Sequence, residues 1–325
     1  MKEYEIRPQA IFDEYLQLAA LDVQTYFAEV DREPINCPAC GSLGNPSFQK
    51  SSFDYALCPQ CLTLFVTPRP KAEAFSRYYT EAPSVEFWAT TFYRVTAEAR
   101  REKIWKPKAQ MVYDALQQYD ALHHTVIDIG GGYGIFAEEM SALIQNPVTV
   151  IEPSPKLAEA CRSRKLAVVE KFLESIEEED LPDGPKAFVS FELFEHLHNP
   201  TAFLKSLKHL MHPGDLFTLT TLSGSGVDIQ VLWQDSKSIA PPHHLNFFNP
   251  HSIQMLLQKI GFEVLSVSTP GKLDIDILVN NQSKIKDRFW RTFLMQADTS
   301  TKSKWQNLIA ASGWSSHMMV SCRCL

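Results

Sequence analysis

The sequence predicts an α/β fold with a doubly wound, mostly parallel sheet and a small cysteine-rich N-terminal segment. From residue 124 onward, short and nearly continuous apolar runs alternate with helical patterns, as in a parallel sheet that is covered on both faces. The first of these runs continues directly into a glycine-rich turn. Ahead of them, residues 31–70 are rich in proline, glycine and cysteine and contain two C-x-x-C pairs.

Six apolar runs have the length and composition of buried strands. They span residues 125–129, 148–152, 187–191, 216–221, 262–268 and 317–324. Between and around them, apolar residues recur at helical intervals over residues 1–30, 71–120, 134–145, 155–164, 200–211, 251–260 and 284–296. The alternation of strand and helix from residue 124 onward is typical of a parallel sheet with helices on its faces.

The charge balance and the lack of a long apolar run narrow the class of protein. The 325 residues carry 31 basic and 38 acidic side chains, a formal net charge of −7. A broad nucleic-acid footprint would need a basic face, so we expect no nucleic-acid partner. The N-terminus is acidic where a signal peptide would be basic, and no run approaches the roughly 20 apolar residues of a membrane span. We therefore expect a cytoplasmic protein without a membrane span, and the sequence does not indicate its oligomeric state.

Four of the seven cysteines form two C-x-x-C pairs, Cys37 with Cys40 and Cys58 with Cys61. Each pair can present two thiolates from one tight turn, and two such turns complete the tetrahedral shell of structural zinc. A redox pair is the alternative, but neither pair lies at a strand–helix turn. The spacing therefore predicts a zinc-ribbon-like segment in which Zn²⁺ stabilises folding, because four thiolates leave no open coordination position.

The glycine-rich turn after the first predicted strand indicates nucleotide binding. Asp128 lies at the end of that strand, Gly130, Gly132 and Gly134 follow it, and Glu152 ends the next strand. Such a turn lets a ligand approach the backbone, and an acidic residue about 20 positions further on can accept hydrogen bonds from ribose hydroxyls. The glycines alone also fit a dinucleotide fingerprint, or a turn that serves packing only. Asp128 favours a cationic cofactor such as S-adenosylmethionine, because a carboxylate repels a pyrophosphate.

Several motifs together resemble those of class I S-adenosylmethionine-dependent methyltransferases. Residues 128–134 match the spacing D-x-G-x-G-x-G, and residues 188–200 (FVSFELFEHLHNP) resemble the family's fourth-strand motif. Residues 212–217 (HPGDLF) resemble the Lys-Pro-Gly-Gly turn before its fifth strand, from which His212 and Asp215 depart. The resemblance covers about residues 121–270 and implies a Rossmann-like fold with a seven-stranded sheet.

The same resemblance implies a set of cofactor-binding residues at the glycine turn and at the ends of the following strands. They are Asp128, Gly130, Gly132, Tyr133, Gly134, Glu152, Pro153, Glu174, Phe191 and Glu192. Glu174 is included because residues 172–176 stand where the family places its adenine contacts. Glu195 and His196 either take part in catalysis or cap and orient the segment that follows the strand.

The segment between the fifth strand and the next helix is a candidate acceptor site. Residues 240–250 (APPHHLNFFNP) contain His243 and His244, and imidazole is suited to accept a proton near neutral pH. Together with the cysteine pairs and the core, this x-His-Leu-x-x-Phe loop resembles that of the deoxysugar C-methyltransferases. The resemblance implies that His244 is the general base and that His243 replaces the family's glutamate. Alternatively, both histidines fix the loop through hydrogen bonds.

The sequence therefore predicts an enzyme that transfers a methyl group from S-adenosyl-L-methionine to a small-molecule acceptor, such as a nucleotide-sugar or another glycan precursor. The alternatives are an RNA methyltransferase with a zinc-containing reader and a non-enzymatic module on a methyltransferase fold. We expect an N-terminal helix and zinc-binding segment over residues 1–70 and a helical lid or linker over residues 71–120. Residues 121–325 would form the cofactor-binding methyltransferase domain with a C-terminal helix and strand.

Overall fold

The computed structural model describes residues 2–325, which form two compact units assembled from interleaved segments. The first unit runs to Glu98 and includes Leu222–Ile253 and Ser268–Met318; the second contains Ala99–Thr221, Gln254–Val267 and Met319–Leu325. Each unit thus takes residues from both halves of the chain, whereas the predicted domains are continuous stretches. The predicted domain boundaries remain a prediction.

The strands and helices are numbered in chain order. The strands are β1 (Arg32–Glu33), β2 (Asn45–Lys50), β3 (Phe53–Leu57), β4 (Leu64–Val66), β5 (Arg69–Pro70), β6 (Thr125–Ile129), β7 (Thr149–Ile151), β8 (Ala167–Val169), β9 (Lys186–Phe191), β10 (Leu216–Leu222), β11 (Asn246–Phe247), β12 (Phe262–Ser268) and β13 (His317–Cys324). The α-helices are α1 (Glu3–Ile6), α2 (Gln9–Phe27), α3 (Ala72–Glu81), α4 (Pro83–Phe87), α5 (Tyr93–Arg100), α6 (Lys106–Gln118), α7 (Ile135–Ile144), α8 (Pro155–Ser163), α9 (Pro200–Leu210), α10 (Val227–Leu232), α11 (Pro250–Ile260), α12 (Asp274–Asn280), α13 (Arg288–Gln296) and α14 (Thr299–Ala311). None of the helices in residues 2–325 has the length and apolarity that a membrane span requires.

The second unit is built on a seven-stranded sheet with the strand order β12-β13-β10-β9-β6-β7-β8. The pairs from β10 to β8 are all parallel. The chain moves outward from β6 to β7 and β8 on one side and then to β9 and β10 on the other. The strand order therefore reverses between β6 and β9, and ligands of doubly wound sheets bind at the carboxyl ends of the strands at such a point. The predicted α/β fold with a mostly parallel seven-stranded sheet is confirmed.

Apolar periodicity locates most elements of this sheet to within one residue at each end. Strands β6, β12 and β13 have their predicted bounds, and helices α7, α8, α9 and α11 fill the predicted connections. Strand β8 is not predicted, because three residues are too few to show a period. Side chains of the sheet form one core cluster with side chains of α6 and α7, such as Val112, Leu116, Phe136 and Met140.

The turn before β10 explains why Asp215 departs from the methyltransferase pattern. Its carboxylate is buried and accepts hydrogen bonds from the backbone N–H groups of Lys186, at 2.8 Å, and His212, at 2.9 Å. The side chain therefore ties this turn to the start of β9, a contact that a glycine could not make. Both partners lie at the amino ends of the strands, on the edge of the sheet opposite the candidate site.

The first unit contains a four-stranded sheet with the order β11-β4-β3-β2 and a short β1–β5 ribbon. Strand β4 pairs antiparallel with both β11 and β3, and β3 pairs antiparallel with β2. Strand β11 belongs to the predicted acceptor loop, and Asn246 and Phe247 pair with Phe65 and Leu64 of the cysteine-rich segment. The fold thus joins two stretches of sequence that are separated by more than 170 residues.

Within the predicted lid or linker, the aromatic residues at positions 75–93 lie in α3, α4, α5 and the π-helical turn Trp88–Phe92. Phe75, Tyr78 and Phe92 are buried in the first unit, with Phe75 and Tyr78 in the same core cluster as Phe27. Their helical spacing reflects packing in this unit. The lid remains a prediction.

Candidate active site

The glycine turn follows β6 directly and leaves one of its faces open. Gly130, Gly132 and Gly134 have φ values of +71°, +56° and +71°, a region that side chains other than glycine rarely adopt. A Cβ atom added to Gly132 would have no atom within 4 Å, whereas one on Gly131 would lie 2.5 Å from Val150 Cγ1 and 2.8 Å from Asp128 Oδ2. The turn is therefore packed beneath Gly131 and accessible above Gly132.

Glu152 connects the turn to the segment that follows β7. Its Oε2 accepts a hydrogen bond from the Gly132 N–H at 2.9 Å, and its Oε1 accepts one from the Ser154 N–H at 3.0 Å. The residue is only 5% exposed, and burial raises the pKa of this carboxyl group although both hydrogen bonds oppose the shift. Both carboxylate oxygens are thus fixed by backbone donors at the carboxyl edge of the sheet.

Asp128 lies beneath the turn, with 2% of its surface exposed. Its Oδ2 is buried without a hydrogen-bond partner among the described residues. Burial raises the pKa of Asp128 to about 7, Glu152 adds to the shift, and Lys108 opposes it. The carboxyl group therefore holds its proton more readily than an exposed aspartate, and its role toward a cofactor stays a prediction.

A buried lysine faces the carboxyl ends of β9 and β10. Lys108 Nζ lies 2.8 Å from Glu192 Oε1 and 2.9 Å from Thr220 Oγ1, and it stands over the rings of Trp105 and Phe191. Glu192 has a φ of +52°, a strained conformation for a residue with a side chain. Strain of this kind is common at functional sites, so the Lys108–Glu192 pair belongs to the candidate site.

Lys108 is absent from the predicted site residues, although its position in the sequence carries a detectable signal. Lys108, Val112 and Leu116 recur every four residues on α6, and all three are buried. A lysine in register with a buried apolar stripe is unusual, because burying an ammonium group requires a compensating partner. Gly131 is also missed, since only the packing against Val150 shows why it must lack a side chain.

The other predicted residues of this site follow strands of the sheet in the chain or end them. Tyr133 and Pro153 are partly buried, Phe191 is buried at the end of β9, and Glu174 is exposed in the short helix Leu173–Ser175. Glu195 is buried and accepts a hydrogen bond from Thr221 Oγ1 at 2.8 Å. Burial raises the pKa of Glu195 to about 8, and the charge of Glu192 acts in the same direction.

In the first unit, the four cysteines of the two C-x-x-C pairs come together. Their sulfur atoms all lie within 4.8 Å of one another, with 3.5 Å between Cys37 and Cys61 and 3.4 Å between Cys40 and Cys58. A disulfide would require about 2.05 Å. A tetrahedral zinc site with bonds of about 2.3 Å has sulfur–sulfur edges of about 3.8 Å. The donor set and its spacing thus fit a zinc ion.

The two cysteine turns have the same backbone pattern. The N–H of Gly41 donates to Cys37 O at 2.9 Å, and the N–H of Leu62 donates to Cys58 O at 3.0 Å. Both donors have positive φ, +84° for Gly41 and +59° for Leu62. An exposed leucine in this conformation indicates that the turn itself is required, because only glycine adopts it without strain.

The predicted acceptor histidines differ in their surroundings. His243 Nε2 lies 2.7 Å from Tyr78 Oη, and burial lowers the pKa of His243 to about 3, with the neighbouring His244 acting in the same direction. His244 Nδ1 lies 2.6 Å from the carbonyl oxygen of Ser238. A carbonyl only accepts, so Nδ1 carries the proton and Nε2 carries the lone pair of the neutral ring. His243 is thus held neutral, and His244 is held in one tautomer.

The pKa of Asp128 predicts a specific pH dependence of stability. Between pH 3.8 and about 7, the unfolded chain releases a proton that the folded protein retains, so stability falls as the pH rises through this window. Asp128→Asn removes the titration. We expect the free energy of unfolding of Asp128→Asn, relative to wild type, to rise by up to about 1.4 kcal/mol per pH unit until pH 7 and then to level off. Urea denaturation between pH 5 and pH 8 measures this difference.

Asp183→Asn provides the control, because Asp183 is an exposed carboxylate of the same unit. Its stability difference from wild type should not change over this range. A pH-independent difference for Asp128→Asn as well would contradict the assigned protonation of Asp128.

Part of the chain is similar to curated methyltransferases. Among curated proteins, the ubiquinone biosynthesis O-methyltransferase of Xanthomonas euvesicatoria pv. vesicatoria (strain 85-10) is 26% identical over 154 residues, which are 44% of this chain and 64% of that protein. The chain thus spans less than two thirds of the length of the curated relatives that it matches.

Solved methyltransferase structures also match. The plantazolicin methyltransferase BpumL, in complex with a triazolic desmethylPZN analog and SAH, aligns with a TM-score of 0.49 and 11% identity over 77% of this chain and 94% of that chain. A SAM-dependent methyltransferase from Thermotoga maritima aligns with a TM-score of 0.42 and 17% identity over 71% of this chain and 97% of that chain. The family model of the methyltransferase domain matches residues 94–267, more than half of the chain. The chain therefore belongs to the methyltransferase domain family.

Proposed function

We propose that S-adenosylmethionine binds above the open face of the glycine turn, with Glu152 as its ribose acceptor. The observation that carries this proposal is the fixed carboxylate of Glu152 at the switch point, next to the unobstructed space at Gly132. The cofactor supplies a methyl group that its sulfonium has already activated. The protein's contribution is to bind and align donor and acceptor, which can lower the barrier by several kcal/mol.

The remaining cofactor contacts follow from where the side chains lie. We assign the glycine backbone of the turn and the carboxyl edge of β6, β7 and β9 to the cofactor, with Lys108 holding Glu192 in place. The full proposed set is Asp128, Gly130, Gly132, Tyr133, Gly134, Glu152, Pro153, Glu174, Phe191 and Glu192. Glu174 would contribute from an exposed position at the rim of the cofactor site.

For the acceptor, we propose a small molecule that must lose a proton as it is methylated, with His244 as the base and His243 beside it. The hydrogen bond from His244 Nδ1–H to Ser238 O places the basic lone pair of the neutral ring on Nε2. Methyl transfer then forms the bond from the deprotonated acceptor atom to the methyl carbon while the bond from that carbon to the sulfonium sulfur breaks, and the neutral thioether of S-adenosylhomocysteine leaves. His243 has a different role, because its contact with Tyr78 Oη fixes the loop and its low pKa keeps it uncharged.

We further propose that the acceptor is a nucleotide-sugar or a related glycan precursor with an acidic C–H bond. The loop motif around His244 supports this class. The curated relatives named above are O-methyltransferases, so a phenolic oxygen is the competing acceptor atom. Incubation with radiolabelled S-adenosylmethionine and either a 4-keto nucleotide-deoxysugar or a catechol separates the two: label in the sugar supports the proposal, and label only in the catechol contradicts it.

We propose that the four-cysteine group holds one structural Zn²⁺ through Cys37, Cys40, Cys58 and Cys61. Metal analysis of the purified chain should find about one zinc per molecule, and Cys40→Ser should lose it together with thermal stability, because the site links the two turns. Cys161→Ser is the control, since Cys161 lies outside the group and should leave the zinc content unchanged. A folded chain without zinc whose melting temperature does not respond to added Zn²⁺ would refute this assignment.

Glu152→Gln tests the cofactor site. A glutamine amide offers one acceptor oxygen where the N–H groups of Gly132 and Ser154 require two, so the turn loses one of its anchors. We expect the dissociation constant of S-adenosylmethionine to rise about tenfold or more, measured by calorimetric titration. The exposed Glu159→Gln on α8 should bind like wild type. Wild-type affinity in Glu152→Gln would overturn the assignment of this residue.

His244→Asn tests the base. The asparagine amide can still donate to Ser238 O, but it lacks the basic Nε2 atom. We expect kcat for methylation of the acceptor to fall by about 10²–10⁴-fold while the affinity for S-adenosylmethionine is retained. His209→Asn, an exposed histidine on α9, is the matched control. If kcat in His244→Asn stays within a factor of two of wild type, His244 has only a structural role.

A further inference from the structure

Helices α13 and α14 form an aromatic hairpin, defined as residues 284–311, which the methyltransferase site does not use. Phe289, Trp290 and Phe293 of α13 all contact Trp305 of α14, with ring centroids 5.8, 5.7 and 4.8 Å apart. Leu294 and Ile309 are buried on the inner side of the hairpin. The aromatic rings therefore hold the two helices together. Leu294 and Ile309 anchor the hairpin in a core cluster of the first unit.

Three large apolar side chains of the hairpin are exposed. Phe289 is 54% exposed, Leu308 is 59% exposed and Met295 is 74% exposed. Residues of this size gain free energy when they leave water, by about 25 cal/mol for each Å² of apolar surface. Several of them on two adjacent helices, with half-buried tryptophans beside them, are typical of a surface that meets another apolar phase.

The hairpin is also basic, although the chain as a whole is acidic. Its cations are Lys284, Lys286, Arg288, Arg291, Lys302 and Lys304, and its acids are Asp287 and Asp298. Both carboxylates are engaged as helix caps, since Asp287 accepts from the Trp290 N–H and Asp298 from the Thr301 N–H. None of the six cations forms an ion pair within residues 2–325. The hairpin thus carries a charge of +4, from six basic and two acidic residues, on a chain whose total is −7.

We propose that the aromatic hairpin binds the surface of a bilayer that contains anionic lipids. Helices at such interfaces combine tryptophan, phenylalanine and leucine with lysine and arginine, because the rings enter the headgroup boundary and the cations meet the lipid charge. A symmetric dimer through this surface is disfavoured, since an isologous contact would bring the six cations of each copy together. RNA is disfavoured because the rings pack on one another, as in the stacked pair Phe289–Phe293, which leaves few open faces for bases.

Sedimentation with lipid vesicles tests the proposal on the full chain. Wild type should sediment with vesicles of phosphatidylcholine and phosphatidylglycerol, should bind pure phosphatidylcholine at least tenfold more weakly, and should be released by added salt. The double variant Lys302→Glu/Lys304→Glu should weaken the binding by about fivefold or more for each residue changed. Phe289→Ser should also weaken it, and a melting curve verifies that this half-exposed position does not unfold the protein.

The charge-matched control is Lys205→Glu/Lys259→Glu, two exposed lysines of the second unit, which should bind vesicles like wild type. An equal loss of vesicle binding in both double variants would show that binding depends only on the net charge of the chain, and this would overturn the proposal. Equal binding to neutral and anionic vesicles would also overturn it. A concentration-dependent dimer that Phe289→Ser abolishes, or RNA that binds the hairpin more tightly than the vesicles do, would each assign the surface to another partner.

Discussion

The site in the second unit depends on how several carboxyl groups are buried at one edge of a sheet. Asp128, Glu152 and Glu195 are each at most 5% exposed, and burial raises the pKa of all three. Desolvation of this kind is unfavourable, so each group needs a compensating contact or a proton. Glu152 has two backbone donors, Glu195 has the hydroxyl of Thr221, and Lys108 lowers the pKa of both Asp128 and Glu195. The edge is thus a cluster of buried carboxyl groups around one buried ammonium group.

This constraint connects the fold to its chemistry. The reversal of strand order between β6 and β9 brings the glycine turn and Glu192 to neighbouring strands, and α6 supplies Lys108 to the second of them. Above about pH 7, where Asp128 releases its proton, this edge favours a ligand that carries positive charge and opposes one that carries a diphosphate. The family assignment and the electrostatics of the edge therefore agree on the same class of cofactor.

The first unit fixes the conformation of a loop, residues 240–250, that has little regular structure. Strand β11 of this loop adds to the sheet of the cysteine-rich segment, and Asn249 Nδ2 donates to Cys61 O at 2.7 Å. The buried Arg69 donates to Asn246 Oδ1 at 2.8 Å, and Tyr55 Oη donates to His244 O at 2.8 Å. The cysteine turns and the loop of the two histidines are therefore parts of one framework. The proposed zinc site would therefore also stabilise the loop of the two histidines.

The elements with a strong local signal could be predicted from the sequence. Apolar runs indicate β6, β9 and β12, and the glycine spacing indicates the turn, because each of these depends on residues close together in the chain. Strand β11 could not be predicted, since its two residues form a strand only by pairing with β4. The partners of Lys108 and the contact of Asp215 with the start of β9 likewise arise between residues that are distant in the sequence. The burial of Asp128 depends on the whole turn, and no single residue type indicates it.

Calorimetric titration of the folded full chain with S-adenosylmethionine and with NAD, near pH 7.5, tests the role of the acidic edge most directly. The charge of the edge predicts that S-adenosylmethionine binds at one site per chain and that NAD gives no heat and does not compete. Binding of NAD that displaces S-adenosylmethionine would contradict it.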